Sequence, residues 1–130
     1  VADGGVRKKV IKQGKGFQPG KHATVEAHLV GTREDGREFF STQGTYPYSF
    51  IMGEKGVCKG LEHAISQMSV GEVADVVVTA PYAFGDEGLQ LVEEGMSVVP
   101  PRQTVRYSVS LEHFKSRPGT LPLDQDPEAR

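Results

Sequence analysis

Alternation of apolar and polar residues with a period of two constrains the fold of this chain more than any other feature of its sequence. In VRYSVSLE, residues 105–112, each odd-numbered residue is apolar or aromatic and each even-numbered residue is charged or serine. Successive side chains of a strand point to opposite faces, so this segment is predicted to be a β-strand with one buried face. Residues 25–29 alternate in the same way, and the β-branched residues of 73–79 favour a third strand. Residues 6–12 and 39–42 are weaker strand candidates, and 48–52 is another short extended segment.

A single helix is predicted among these strands. Leu61, Ala64, Ile65 and Met68 are spaced i, i+3, i+4 and i+7, so they share one helical face. The SVG segment at 69–71 is expected to end the helix, with its glycine in the left-handed C-terminal conformation. A helix this short is marginal alone and has to pack its apolar stripe on the sheet. The prediction is therefore an α+β domain, an antiparallel sheet with one short helix on its concave face.

Length and charge limit the classes of protein to which the chain can belong. Its 130 residues are enough for one domain with a core and too few for two domains of ordinary size. The formal net charge of −2 gives no long-range attraction to nucleic acid or to an anionic membrane, and no apolar run is long enough to span a bilayer. We expect no nucleic-acid partner and no membrane association, and we take a monomer as the default state.

The single cysteine and the two ends of the sequence suggest the setting of the domain. Cys58 has no second cysteine with which to form an internal disulfide, so a reducing compartment, the cytoplasm or the nucleus, is expected. Residues 1–5 are interpreted as an N-terminal extension at a truncation boundary, and 6–114 as the folded domain. Residues 115–130 are rich in proline, glycine and charge, which predicts a disordered tail or a linker to a further domain.

Motifs for cofactor, metal and nucleophile chemistry are not matched. A phosphate loop is approached only at 14–22, where the spacing is one residue too long and histidine replaces the serine or threonine. Cys58 and His63 are poorly spaced for a thiol nucleophile and its base. Metal-ligand spacing is absent from the four histidines, which are His22, His28, His63 and His113. We expect neither a cofactor nor a metal site.

Aromatic and aliphatic residues are concentrated at the predicted loops and strand ends. Taken one by one they are compatible with an ordinary hydrophobic core, and together they are compatible with the lining of an apolar cleft. The set comprises Phe39, Phe40, Tyr48, Phe50, Val57, Cys58, Leu61, Phe84, Val98, Val99 and Tyr107.

A series of short motifs follows along the chain in a distinctive order. They are GVRKKV at 5–10, VEAHLVG at 25–31, DGREF at 35–39, PYSF at 47–50, GVCKGLE at 56–62, MSVGE at 68–72, APYAFG at 80–85, VPP at 99–101 and VRYSV at 105–109. In this order the chain resembles the FKBP family of peptidyl-prolyl cis-trans isomerases, from about residue 6 to residue 114. The resemblance implies an antiparallel half-barrel sheet wrapped around one short α-helix, with an apolar cleft between them. In the family this cleft holds a proline ring or the macrolides tacrolimus and rapamycin.

The resemblance also assigns roles to residues that match the family motifs. It implies that the catalytic residues are Phe39, Tyr48, Cys58 and Tyr107. It implies that the substrate-binding residues are Leu29, Phe40, Phe50, Val57, Leu61, Phe84, Val98 and Val99. Leu29 and Phe40 are expected at the rim of the cleft, and the backbone N–H of Cys58 is expected to hold the carbonyl that precedes the proline. The implied partners are proline-containing peptides or client proteins.

Four positions depart from the usual family pattern. Phe40 stands where the family usually has Asp, Leu61 where it has Trp at the floor of the cleft, Phe84 where it has Tyr, and Leu29 where Tyr is common. The loss of the Phe40 carboxylate and the Phe84 hydroxyl removes two hydrogen bonds to a ligand. The affinity for tacrolimus and rapamycin is therefore expected to be about one to three orders of magnitude lower than that of a domain with the usual family residues.

The segment from 85 to 100 is longer than the usual family loop at this place. It carries apolar residues among acids, and we interpret it either as a lid or partner-binding flap or as an inert insertion. Two functions stay open: a prolyl isomerase, with activity reduced by the departures, or a catalytically weak binding or scaffold module that acts as a co-chaperone.

Overall fold

The computed structural model describes residues 4–92 and 94–116, which form six strands and one α-helix. The strands are β1 (Val6–Lys12), β2 (Thr24–Thr32), β3 (Glu38–Ser41), β4 (Tyr48–Ile51), β5 (Val73–Val78) and β6 (Val105–Lys115). The helix α1 (Lys59–Ile65) follows β4, and a 3₁₀ turn covers Ala80–Tyr82 after β5. Each predicted extended segment is therefore a strand, as expected from an alternation that can bury only one face.

The six strands form one antiparallel sheet with the order β1-β5-β6-β2-β3, and β4 also pairs with β2. The pair β2 and β6 runs along the whole of β2, with Leu29 opposite Val109. The other edge of β2 is divided, because residues 24–27 pair with β4 and residues 30–32 pair with β3. Two short strands thus share one edge of the central pair, and this brings their aromatic side chains to the same part of the sheet.

The hydrophobic core lies between α1 and one face of the sheet. Leu61, Ala64 and Ile65 of the helix are buried, as predicted from their spacing. They belong to a single cluster with the inward residues of β2, β5 and β6, such as Val76 and Leu111. Because a seven-residue helix is marginal in isolation, its stability depends on this contact with the sheet. The structure confirms the predicted α+β arrangement of one antiparallel sheet and one short helix.

The end of the helix differs from the sequence prediction. The helix ends at Ile65, and the next residues form tight i→i+3 bonds, from Gln67 N to Ala64 O and from Met68 N to Ile65 O. Met68 is fully buried, so its apolar character was assigned correctly, but it lies in a turn. Such tightening is common where the last carbonyls lack helical donors. Gly71 does have a positive φ of 89°, but it serves the turn into β5 and not the helix end.

A buried carboxylate holds this turn against the first strand. Glu72 accepts hydrogen bonds from the backbone N–H of Ser69 at 3.2 Å and from Nζ of Lys8 at 2.8 Å. The Glu72 side chain is almost fully buried, whereas that of Lys8 is partly exposed. A buried carboxylate is tolerated when it is paired and hydrogen-bonded, as here. The contact ties the turn between α1 and β5 to β1 at the edge of the sheet.

The domain predicted from sequence, residues 6–114, lies within the outer limits of the described residues, 4 and 116. Residues 1–3 and 117–130 lie outside them, so the extension and most of the tail proposed from sequence are not described. Lys115, taken as the first tail residue, is the last residue of β6 and pairs with Thr24. None of the helices in the described part of the chain has the length and apolar character that a membrane crossing needs.

Substitution of Gly60 by alanine tests the contact between α1 and the sheet. A Cβ at this position would lie 2.4 Å from Cγ1 of Val78 and 3.0 Å from the backbone oxygen of Tyr82. We expect Gly60→Ala to lower the free energy of unfolding by about 1–3 kcal/mol, because overpacking outweighs the gain in helix propensity. Urea denaturation followed by circular dichroism measures the effect. Gly20→Ala is the matched control, since its Cβ would meet no atom within 4 Å; equal stability of the two variants would contradict the prediction.

Candidate functional site

An apolar cleft of about 390 Å³ opens between the N-terminal end of α1, the strands β3 and β4, and the start of β6. A volume of this size is typical of a small-ligand pocket. The cleft is lined by Leu29, Phe39, Phe40, Tyr48, Lys55, Gly56, Val57, Cys58, Leu61, Ala83, Phe84, Leu89, Leu91 and Tyr107. Its wall is mostly aromatic and aliphatic, with a few polar atoms.

Phe39 is the central aromatic side chain of the cleft. Its ring meets Phe84 edge to face, with centroids 5.5 Å apart, and meets Tyr107 in the same way at 5.6 Å. Edge-to-face contacts of this kind stabilise an aromatic cluster beyond its buried area. Space for the Phe39 ring comes from Gly31 on the neighbouring strand, because a Cβ there would lie 2.6 Å from Cζ of the ring. The glycine in β2 is therefore a requirement of the site.

Tyr48 joins the strand β4 to the segment that precedes α1. Its hydroxyl donates a hydrogen bond of 2.6 Å to the carbonyl oxygen of Gly56. Its ring meets Phe40 edge to face at 5.3 Å and stacks on Phe50 at 5.9 Å. These contacts orient the turn that brings Val57 to the cleft.

Cys58 and Tyr107 place a thiol and a phenol in the same wall. The Cys58 Sγ lies 4.0 Å from the Tyr107 Oη. Burial raises the pKa of the Cys58 thiol, although the backbone N–H groups of Leu61 and Gly60 act in the opposite direction. Burial, followed by the neighbouring Cys58, raises the pKa of Tyr107 well above its ordinary value. Both groups are therefore protonated and neutral near pH 7.

The floor of the cleft is formed by residues without side-chain polar atoms. Leu61 is fully buried at the position where a larger aromatic side chain is usual in the family. Leu29, expected at the rim, is instead buried, with only 1% of its surface exposed. The reason is that β2 is a central strand. Thr42 also holds Leu29: the Thr42 N–H donates to the Leu29 carbonyl oxygen, and the Leu29 N–H donates to Oγ1 of Thr42. Phe40 is half-buried and lines the cleft.

Three residues expected to bind substrate lie outside the cleft lining. Phe50 is on the same face of β4 as Tyr48, on which it stacks, but it is buried and packs against Gly56. Val99 is fully buried and pairs with Leu89 through backbone hydrogen bonds. Val98 is partly exposed, and its carbonyl accepts a hydrogen bond from Nη1 of Arg33 at 3.2 Å. Phe50 and Val99 thus contact residues of the lining, Tyr48 and Leu89 respectively.

Sequence reasoning missed three lining residues, Lys55, Gly56 and Ala83, and placed Leu89 and Leu91 only in a possible lid or partner-binding flap. Gly56 and Ala83 stand inside the motifs GVCKGLE and APYAFG, so a signal for them was present. Leu89 and Leu91 belong to the long loop, and no local pattern distinguishes a loop residue that lines a cleft from one that faces water. Among the residues that the structure describes, no group of three or more His, Cys, Asp or Glu could hold a metal ion.

The sequence of this chain is similar to those of known proteins. The family model described as FKBP-type peptidyl-prolyl cis-trans isomerase matches residues 15–112. A Rhizopus delemar protein, FK506-binding protein 5, is 35% identical over 118 residues, which cover 89% of this chain and 29% of that protein. Peptidyl-prolyl cis-trans isomerase FKBP1A from Xenopus laevis is 34% identical over 109 residues, which cover 82% of this chain and 95% of that protein.

Solved structures give the same assignment. The structure of the three FKBP domains of wheat FKBP73 has a TM-score of 0.77 at 32% identity, covering 87% of this chain and 47% of that chain. The N-terminal domain of FKBP42 from Arabidopsis thaliana also has a TM-score of 0.77, at 28% identity, covering 89% of this chain and 91% of that domain. The chain thus spans less than half of the Rhizopus and wheat proteins that it matches. The motif order, the antiparallel sheet with its single short helix and these matches agree: the chain belongs to the FKBP-type peptidyl-prolyl cis-trans isomerase family.

Proposed function

We propose that this domain accelerates the cis–trans isomerisation of X-Pro peptide bonds by binding the proline ring in its apolar cleft. The observation that carries the proposal is the arrangement of Phe39, Phe84 and Tyr107, whose rings meet edge to face in the wall of the cleft. These three rings fit an apolar ring and carry no charge near pH 7; Lys55 is the charged residue of the cleft lining. Polypeptides with an accessible proline are the substrate class.

The chemistry of the reaction suits this lining. Rotation about a peptide bond has a barrier of about 18–20 kcal/mol, because amide resonance is lost in the twisted state. No covalent bond breaks, so the protein has only to bind the twisted amide more tightly than the planar one. In an apolar cleft the planar amide loses hydration of its partial charges, and the twisted amide, with less charge separation, loses less. Each 1.4 kcal/mol of differential binding gives roughly a tenfold acceleration.

Four residues are proposed to contribute most directly. Phe39 and Tyr107 form the wall against which the proline ring rotates, and Tyr48 holds the turn before α1 through its bond to Gly56. The backbone N–H of Cys58, at the N-terminal boundary of α1, is proposed to hold the carbonyl that precedes the proline. The residues proposed to bind the rest of the substrate near the proline are Leu29, Phe40, Val57, Leu61 and Phe84.

A second candidate function is a binding module with little catalysis. The observation that favours it is the small side chain of Leu61 at the floor of the cleft, which leaves the proline ring less tightly enclosed than a larger aromatic residue would. In that case the cleft retains proline-containing segments, and the domain acts as a co-chaperone or scaffold. The two functions differ in whether the twisted state or the ground state is bound more tightly.

An isomerisation assay separates the two candidate functions. We expect the wild-type domain to accelerate the isomerisation of a Leu-Pro peptide in a protease-coupled assay. Leu61→Trp is expected to raise kcat/KM by about tenfold, because a larger floor encloses the ring and adds buried apolar contact. Circular dichroism checks that the variant is folded. No acceleration by the wild type, together with a gain in Leu61→Trp, would reject the enzyme and favour the binding module.

The neutral thiol of Cys58 gives a prediction for reactivity and stability. Because its folded pKa is raised, the thiol contributes stability below the unfolded pKa of about 8.5 and loses that contribution as pH rises above it. The free energy of unfolding is therefore expected to fall above about pH 8.5. Iodoacetamide should modify Cys58 at least tenfold more slowly in the folded domain than in urea, since the thiolate is the nucleophile. Denaturation of a Cys58→Ala variant over the same pH range should show a smaller alkaline loss; an equal loss would contradict the assignment to Cys58.

We further propose that the cleft binds tacrolimus and rapamycin weakly. Phe40 and Phe84 line the cleft without a carboxylate or hydroxyl for these ligands. A Phe40→Asp/Phe84→Tyr double variant is expected to bind tacrolimus about one to three orders of magnitude more tightly in isothermal titration calorimetry, because two hydrogen bonds are restored. Phe17→Tyr is the control, since Phe17 is 86% exposed and is not part of the cleft lining. Unchanged affinity in the double variant would show that other features of the cleft limit binding.

The cellular setting of the domain is also a proposal. Because the single cysteine lines the cleft as a free thiol, we propose a reducing compartment, the cytoplasm, with the nucleus as the alternative. The chain spans a minor part of the Rhizopus and wheat relatives. We propose that the domain binds client proteins and so contributes a chaperone function.

A further inference from the structure

A second apolar cavity, of about 370 Å³, lies beside the cleft, and we name it the loop groove. One of its sides is formed by Phe40 and Ser41 of β3. The opposite side is formed by Leu91, Val92 and Met96, which belong to the long segment between the 3₁₀ turn and β6. These side chains are partly or fully exposed, although they are apolar. A groove of this size with an apolar lining can hold one or two side chains of a partner.

The long segment is held in place by backbone hydrogen bonds. Leu89 and Val99 exchange a reciprocal pair, each of 2.8 Å, and Ser97 N donates to Glu38 O of β3 at 2.9 Å. Gly88 precedes this pair with a φ of 70°, and a Cβ there would lie 2.2 Å from the carbonyl oxygen of Val99. Both conditions require glycine at this position. The backbone hydrogen bonds fix both ends of the segment that carries Leu91, Val92 and Met96, which lowers the ordering cost of binding.

The loop groove is continuous with the cleft. Four residues line both cavities: Phe39, Phe40, Leu89 and Leu91. The Leu91 side chain is 91% exposed at the boundary between them. A polypeptide whose proline occupies the cleft therefore has its neighbouring residues at the entrance of the loop groove. Since an extended chain advances about 3.3–3.6 Å per residue, the side chain that enters the groove belongs to a residue within about three positions of the proline.

The charge of the loop defines the substrate further. Between residues 83 and 104 the sequence contains four carboxylates and a single basic residue, Arg102. The guanidinium of Arg102 lies 4.0 Å from Asp86 at an exposed site, where screening makes the attraction weak. Glu87 and Glu94 are exposed as well.

Arg33, which donates to the Val98 carbonyl, is paired with Asp35 at 2.8 Å and so adds little net charge. Lys55 lines the cleft but not the loop groove. An acidic peptide segment would therefore be repelled from this rim, whereas an apolar segment with neutral or basic neighbours would not.

From these observations we infer that the loop groove is a specificity subsite, which binds an apolar side chain of the substrate within about three residues of the proline and disfavours acidic segments. The inference rests on the proposed function, because it assumes that a prolyl segment occupies the cleft. The residues that carry it are Leu91, Val92 and Met96, which the sequence motifs of the family do not include. The long loop thereby extends the binding site from the proline ring to a second side chain.

A set of matched peptides tests this subsite. Each peptide contains one Leu-Pro bond in a glycine and alanine background, with one further leucine placed at a single position before or after that bond. At one position we expect leucine to raise kcat/KM about tenfold over glycine, the effect of burying one aliphatic side chain. Glutamate at the same position should lower kcat/KM below the glycine value, and added salt should reduce this loss.

The variant for the test is Val92→Gln/Met96→Gln, because these two residues line the loop groove and not the cleft. In this variant the ratio of kcat/KM for the leucine and glycine peptides is expected to fall to nearly 1. Tyr46→Gln, at a residue that is 87% exposed and lines neither cavity, should keep the wild-type ratio. Retention of the tenfold ratio in the Val92→Gln/Met96→Gln variant would overturn the inference.

Titration calorimetry with the same peptides keeps the test independent of catalysis. If the domain binds but does not isomerise, the ratio of Kd values for the leucine and glycine peptides replaces the ratio of kcat/KM. A preference for leucine that is lost in the Val92→Gln/Met96→Gln variant then supports the subsite while the enzyme proposal fails. Sedimentation of the free domain supplies one more outcome: a dimer that the same substitutions abolish, with no peptide preference, would assign the groove to a second copy of the chain and reject the subsite.

Discussion

The antiparallel pairing of β2 with β6 is the interaction on which the site depends. Gly31 of β2 lies opposite Tyr107 of β6 on one side and opposite Phe40 of β3 on the other. The absence of a side chain at Gly31 lets the ring of Phe39 lie against this strand. A change of register by one residue would turn these side chains to the other face of the sheet, and the aromatic wall would be lost. The same pairing carries the buried residues that hold α1, so fold and site share one set of contacts.

The cleft combines an apolar wall with polar groups that stay neutral. Burial raises the pKa of both Cys58 and Tyr107, so neither introduces a charge near pH 7. The hydroxyl of Tyr48 donates a hydrogen bond to the carbonyl of Gly56 and stabilises the turn before the helix. An environment of this kind is suited to a reaction whose only demand is the rotation of an amide. In this chain the four departures from the family pattern make the cleft still less polar.

The long loop adds a feature that the family motifs do not describe. Its position is set by backbone hydrogen bonds between Leu89 and Val99 and between Ser97 and Glu38, and these do not depend on side-chain identity. The side chains at its tip are thus free to vary without loss of the loop conformation. A contiguous apolar surface at such a position is typical of an interaction site. Because it shares lining residues with the cleft, we propose the substrate as its partner.

The sequence by itself determined the elements of the domain and its family. Alternation of period two over 25–29 and 105–112 indicated strands with one buried face, and the i, i+3, i+4 spacing around Leu61 indicated the helix, because both signals arise from local backbone geometry. The ordered motifs then led to the family, and through it to the aromatic residues that line the cleft.

Only the tertiary structure decided which of the inward-facing side chains are covered by other elements and which line a cavity. Periodicity marks Leu29 and Phe50 as inward, but their burial depends on the strands and side chains that lie beside them. The end of the helix at Ile65 likewise depends on the turn that Glu72 holds against β1. The loop groove could not be predicted at all, since it is formed by residues about fifty positions apart, on β3 and on an aperiodic loop. Local patterns report the direction of a side chain, whereas a cavity is a property of what surrounds it.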